Sequence, residues 1–354
     1  MGVFLCLFVT KYQNRGSIEY KTTMNQLIAL AVLCFSFAAF AQDEIDGGPF
    51  RANANGVLNG IPQEHIPTKR MIPYEFVREA DVTWSKRVWR NIDMREKNNF
   101  PIYFPHDEFD SEGRWITHSE RWSLWTVIRH SVLKGNLKMF SPYNPYQFSL
   151  TDGDQFKYPI VAPAGKNFYN DSTFRSVAFQ YLGQLGAQST VPLANQYGED
   201  SIIFLPDGTT EYIYAARDTT WFMSKDIVQY RLKEDWFFDK ERSVLDTRIL
   251  GICPVVYNLD DNGQIIGMRE LFWFYFPHCR YVFNNYFVYN EHNDMQWMSF
   301  DDLFWKRRFS STIYKESNVF DRNVETYRTG VDALMESEKI IEEIRNFEHD
   351  VWNF

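Results

Sequence analysis

IVQYRLKEDWFFDKERSVLDTRILGICPVVYNLDDNGQIIGMRELFWFYF, residues 227–276, is the part of the chain whose side-chain period decides the fold. From Ile227 onward, Val228, Tyr230 and Leu232 fall on one side and Gln229, Arg231 and Lys233 on the other, which is the period of two expected of a half-buried strand. Asp260-Asp261-Asn262-Gly263 is turn chemistry between apolar runs. It joins a strand over Ile252–Leu259 to a long strand over Gln264–Phe276, where Glu270, Phe272, Phe274 and Phe276 alternate with Arg269, Leu271, Trp273 and Tyr275. Antiparallel pairing follows, because so short a connection cannot cross over to a parallel strand.

The same period appears upstream. Leu205-Pro206-Asp207-Gly208-Thr209 lies between Ile202-Ile203-Phe204 and Tyr212-Ile213-Tyr214 and predicts another hairpin. Outside this middle region the spacing reads as helical. Val77, Ala80, Trp84, Val88 and Ile92 recur at intervals of three and four and predict a helix from about Tyr74 to Asn98, with Asp93 and Lys97 paired along it and Pro101 ending it. Thr117 and Glu120 form a capping-box pattern before Trp122, Trp125, Ile128 and Val132, and Gly135 ends that helix. Ser299 with Asp302 predicts another helix start ahead of Leu303, Phe304, Trp305 and the basic group Lys306, Arg307 and Arg308. A last helix is expected from about Val324 to Phe347, with Val331, Leu334, Ile341 and Ile344 on one side. Glu336, Glu338, Glu342, Glu343 and Glu348 make the rest of it acidic. A middle antiparallel sheet with hairpins and helices near both ends is an α+β fold.

The N-terminus sets the expected compartment. Lys11, Arg15 and Lys21 precede the apolar run Leu27–Phe40, and Ala39-Phe40-Ala41 supplies a cleavage signature, so residues 1–41 are expected to be a secretory signal peptide. Translation is expected to begin at Met24. Leu33 beside Cys34 does not fit a lipoprotein acylation site. Removing residues 1–41 takes away Lys11, Arg15, Lys21 and Glu19 and leaves 34 basic and 45 acidic residues, a net charge of −11. Such a balance disfavours nucleic acid and anionic membrane surfaces, which require basic residues to displace counterions. Residues 42–72, with four Gly and three Pro and no apolar period, read as an extended tail, ahead of an α+β body over residues 73–322 and a C-terminal helix over 323–354. Cleavage also leaves two cysteines, Cys253 and Cys279. A disulfide between them, in an oxidising compartment, and two buried free thiols are both open.

No catalytic constellation emerges. Asn258-x-Asp260-x-Asn262-Gly263 imitates the start of a calcium loop, but Arg269 stands where the bidentate Glu belongs. Ser131 and Lys134, with Arg328-Thr329-Gly330, imitate a serine-enzyme pattern without its central element, and Ser131 would have to face away from the stripe its helix buries. His65, His106, His118, His130, His278, His292 and His349 are scattered and have no zinc spacing with Cys. No catalytic, cofactor or metal residue is nominated, and no cofactor is expected. The 31 Phe, 20 Tyr and 11 Trp fit a thick core, a sugar-binding face or protein interfaces. A membrane barrel would need many ten-residue alternating segments, and only about four are convincing.

Three segments carry a more specific signal: YEFVREADVTWSKRVWRNIDMREKNNFPIYFP (Tyr74–Pro105), RDTTWFMSKDIVQYRLKEDWFFDKERSVLDTRILGICPV (Arg217–Val255) and FDDLFWKRRFSSTIYKESNVFDR (Phe300–Arg322). In these the chain resembles the GldN/PorN family of exported proteins of Bacteroidota, which belong to the type IX secretion system and, in gliding species, to its motility apparatus. The resemblance implies a non-enzymatic periplasmic structural subunit at the inner face of the outer membrane. It also implies a ring formed by self-association with the lipoprotein GldK/PorK, contact with the motor component GldM/PorM, and no direct membrane insertion. The alternative from another class is a periplasmic glycan-binding or glycan-hydrolysing protein using exposed Trp and paired carboxylates.

Overall fold

The computed structural model describes residues 71–110, 115–116, 121–185, 191–194, 200–204, 210–214, 219–259, 264–290 and 298–352. Along them run β1 (Val82–Asp93), α1 (Leu124–Lys134), α2 (Ser172–Leu182), β2 (Ile202–Phe204), β3 (Thr210–Tyr212), β4 (Ile227–Asp239), β5 (Val244–Leu259), β6 (Ile265–Glu270) and β7 (Phe274–Tyr275). Then follow α3 (Phe276–Phe283), α4 (Phe300–Trp305), β8 (Thr312–Glu316) and α5 (Val331–Trp352). The main sheet has the order β6-β5-β4-β1-β8, with β7 also pairing β5, and every pair is antiparallel. The fold is α+β, with the sheet in the middle of the chain. The expected signal segment, the tail up to residue 70, the Met24 start and both hairpin turns lie outside the described residues.

β4 is central and more deeply covered than a half-buried strand. Leu232 stands opposite Arg90 on β1 and Ile252 on β5, and Ile92, Tyr230, Leu232 and Ile252 join α1, α3 and α4 in the largest core cluster. Further along the same face, Val88 and Ile313 pack under α5. The other face is also closed. Trp89, Cys253, Val255 and Trp273 are buried there with Phe140 and Phe156 against them, so Gln229 and Lys233 lie beneath protein instead of in water. A bulge between Lys233 and Glu234 places Gly251 below Phe156 and Trp273, where an added Cβ would meet Phe156 Cζ at 2.7 Å.

The predicted helix over 74–98 is instead β1, flanked by 3-10 turns at Glu79–Asp81 and Lys97–Asn99. The reason lies in the spacing: Trp84, Val88 and Ile92 are four apart, which keeps them on one face of a helix and equally on one face of a strand. The β-branched and aromatic residues Val82, Thr83, Trp84, Val88, Trp89 and Ile92 then favour the strand. Pro101 opens a short helical turn, Phe100–Tyr103.

α1 ends as predicted at Gly135, with φ 83°, but its N-cap is Ser123, whose Oγ accepts the Thr126 N–H at 3.3 Å; Thr117 and Glu120 lie outside the described residues. Ser299 and Asp302 form the predicted capping box of α4. β2 pairs with Thr210–Tyr212, two residues earlier than Tyr212–Tyr214. The long strand predicted over Gln264–Phe276 is divided into β6 and β7, and Phe276 already begins α3. The last helix starts at Val331, after Gly330 with φ 59°, and not at Val324. Its buried side is Ser337, Ile340 and Ile344; Val331 and Leu334 are exposed. The polar Ser337 hides this stripe in the sequence. Its Oγ accepts the Ile313 N–H of β8 at 2.7 Å, so the acidic helix caps that edge of the sheet.

Candidate interaction surfaces

The interior holds charge, and that charge is used in packing. Glu234 is fully buried and accepts two hydrogen bonds from Arg307, at 3.1 and 3.0 Å. Arg307 adopts φ 51°, a conformation a long side chain rarely takes, and lies over Trp236 and Phe309. On the opposite face, the Lys233 ammonium donates to the Asp154 carbonyl at 2.7 Å and lies over Trp89 and Phe156. Burial lowers its pKa, opposed by the Asp154 carboxylate. Arg231 and Glu270 pair beside it, and Trp273 Nε1 donates to the second Glu270 oxygen at 2.8 Å.

Two further guanidiniums fasten peripheral segments. Arg129 is buried among Phe109, Trp115 and Trp221, 3.6 Å from Asp107, and burial brings its pKa down to about 10. Arg280 forms a two-bond pair with Asp301, at 2.7 and 3.0 Å, and donates to the Ile72 carbonyl at 2.7 Å. Tyr74 and Trp305 stack at 5.4 Å, and the Arg280 guanidinium lies over both rings. Burial pushes the Tyr74 hydroxyl up to about 12 despite Arg280. The chain from Ile72 to Glu75 is thereby bound to the body, with Glu75 also paired to Arg242.

Among the described residues, no group of three or more His, Cys, Asp and Glu side chains could hold a metal. Ser131 faces the core of its helix and is buried. Of the calcium-loop imitation, Asn258 lies near the end of β5 and Arg269 on β6; residues 260–263 lie outside the described residues. Of the Trp side chains described, Trp305 is the exposed one, and its ring is occupied by Tyr74 and Arg280. Cys253 and Cys279 are free buried thiols in different packing clusters. Cys253 donates to the Pro254 carbonyl and Cys279 to that of Tyr275, and burial pushes both pKa values up.

Among the described residues, several clusters of large apolar side chains are exposed. Across residues 191–214, Leu193 N–H bonds to Ile213 and Ser201 N–H to Leu193, each at 2.7 Å, so 191–194 joins β2 and β3 in a small sheet. Direct partners share a face. Tyr212 stands opposite Ile202 and Tyr214 opposite Pro192, which places Tyr212, Tyr214 and Ile202 on one face and Val191, Leu193 and Ile203 on the other. All six are exposed, Val191 by 69% and Ile203 by 52%. Strands apolar on both faces ordinarily have a layer on each; here the large side chains of both faces are exposed. β6, at the end of the main sheet, likewise exposes Ile265, Ile266 and Met268. The start of α5 exposes Val331, Leu334 and Met335. The sequence named Ile202–Phe204 and Tyr212–Tyr214 as strands but missed Val191–Ala194, whose Pro192 and short length conceal a third segment.

No described helix is long and apolar enough to cross a membrane. No curated protein matches the chain. Residues 77–353, which include the main sheet, the small sheet and α5, match the family described as gliding motility associated protein GldN, and the chain therefore belongs to the GldN family.

Proposed function

We propose that this chain is a non-enzymatic periplasmic subunit of the type IX secretion and gliding motility machinery. In this reading it forms a ring with an outer-membrane lipoprotein of the GldK/PorK type, which holds it at the inner face of that membrane, and contacts a GldM/PorM-type motor component. The observation that carries the reading is the small sheet of residues 191–214: in a chain of the GldN family, six large apolar side chains stand in water on its two faces.

A closed ring of like subunits needs two different patches per copy, because a head-to-tail contact joins unlike surfaces. The small sheet and the β6 edge are of that kind. Aromatic and aliphatic side chains at the centre of a contact, with polar neighbours around them, match the composition of interface cores. Buried charges such as Glu234, Lys233, Arg280 and Asp301 are paired within the subunit and consumed in its own packing, which leaves the apolar surfaces for partners. The test is recovery of the full chain from outer-membrane extracts. A large particle containing a lipoprotein supports the proposal, and a stable monomer recovered alone overturns it.

A further inference from the structure

Arg307 and Arg308 of the basic group line a cleft of about 430 Å³, within the size range of sites for small organic ligands. Its polar wall is formed by Asn98, Asn290 and Arg308, and its floor by Met298, Leu303 and Phe309. Among its described lining residues none is acidic, which is notable in a chain with a formal charge of −9.

The two arginines differ. Arg307 is committed to the buried Glu234 through two hydrogen bonds and is held there with a positive φ. Arg308 is exposed and, among the described residues, makes one long hydrogen bond, 3.4 Å from Nη1 to Asn290 Oδ1, and pairs with no carboxylate. A third guanidinium, that of Arg121, lies 4.7 Å over the ring of Tyr289, which lines the cleft, and has no carboxylate partner among the described residues either. An arginine fork presents parallel N–H groups at the spacing of two oxygens of a carboxylate or phosphate, and such charge-assisted pairs are about twice as strong as neutral ones. The apolar floor fits the carbon part of the same molecule.

We propose that this cleft binds a small organic oxyanion, a phosphate or carboxylate on an apolar group, with Arg308 receiving the oxyanion and Met298, Leu303 and Phe309 the carbon skeleton. The test is titration of the full chain with phenyl phosphate, benzoate and inorganic phosphate, followed by calorimetry and by the thermal midpoint, with sodium chloride at matched ionic strength as control. Phenyl phosphate or benzoate is expected to bind at least tenfold more tightly than inorganic phosphate, and whichever of the two is tighter identifies the oxyanion. Arg308→Gln is expected to weaken that binding at least tenfold and Arg308→Lys at least threefold. Both variants should retain the unliganded midpoint, because the side chain is exposed, and Lys138→Gln should bind as the parent does. Binding by none of the three probes beyond chloride, or binding unchanged in Arg308→Gln, overturns the proposal.

Discussion

Removing the Asp301 carboxylate strands a guanidinium that has almost no access to water. Arg280 is 2% exposed, and Asp301 supplies both oxygens of its pair, at 2.7 and 3.0 Å. Breaking a buried pair by deleting one partner costs about 3–5 kcal/mol, because the remaining charge keeps its desolvation penalty. Arg280 retains the Ile72 carbonyl and the faces of Tyr74 and Trp305, whose attraction for a desolvated cation is worth about 2 kcal/mol, so the lower end, about 3 kcal/mol, is expected for Asp301→Ala. At roughly 1.5–2 °C per kcal/mol for a folded unit of about 300 residues, the thermal midpoint falls by roughly 4–6 °C. The double variant Arg280→Met with Asp301→Leu removes both charges and should recover to within about 1–2 kcal/mol of the parent. Urea unfolding followed by Trp fluorescence measures both, since Trp305 stacks within this contact. A loss below about 1 kcal/mol in Asp301→Ala, or additive losses in the double variant, would refute the assignment of the pair as a desolvated clamp on residues 72–75.

Three further outcomes follow from the same structure. Ser337→Ala leaves the buried Ile313 N–H of β8 without its acceptor and should cost about 1–3 kcal/mol, with faster amide exchange at Ile313; unchanged exchange contradicts the capped edge. Burial depresses the His106 imidazole below its ordinary value of about 6.5, against the opposing Asp107 charge, so the unfolded chain takes up that proton first as pH falls. Stability should therefore be level with respect to this group above about pH 6.5 and decline below it; an equal decline in His106→Gln would contradict this. Cys253 and Cys279, buried with raised thiol pKa values, should not react with an aromatic disulfide reagent until the protein unfolds, and then both should react. In the unfolded, unreduced chain without residues 1–41, whose removal also takes away Cys6 and Cys34, fewer than two titrating thiols would show a bond between them.

The strands of the middle region were legible because alternation survives in β4 and β5 and because turn residues separate the runs. β1 was not, since Trp84, Val88 and Ile92 satisfy both periods and only the β-branched content distinguishes them. The buried face of α5 was hidden by Ser337, a polar residue at a core position that is there to accept a backbone hydrogen bond. Arg231 and Lys233 read as the solvent face of β4, and Glu234 follows on its apolar side, yet partners distant in sequence, Glu270, Asp154 and Arg307, allow all three to lie within the protein. No local pattern announces such pairs. The aromatic residues divide in the same way: Trp125, Trp273, Phe272 and Phe274 fill the core, whereas Tyr212 and Tyr214 stand on an open sheet, and spacing alone does not separate those roles.

The central claim is that this chain is an assembly subunit whose small sheet is covered by neighbours. The direct test is the particle mass of the full chain extracted with its outer-membrane partners, compared with Ile203→Asp and Tyr212→Asp, in which a charge is placed on each open face. The account predicts a large particle containing a lipoprotein for the parent chain, and subunits of parental thermal stability that no longer enter such a particle for the two variants. A parent chain that runs as a monomer without a lipoprotein, or variants that assemble as the parent does, would contradict it.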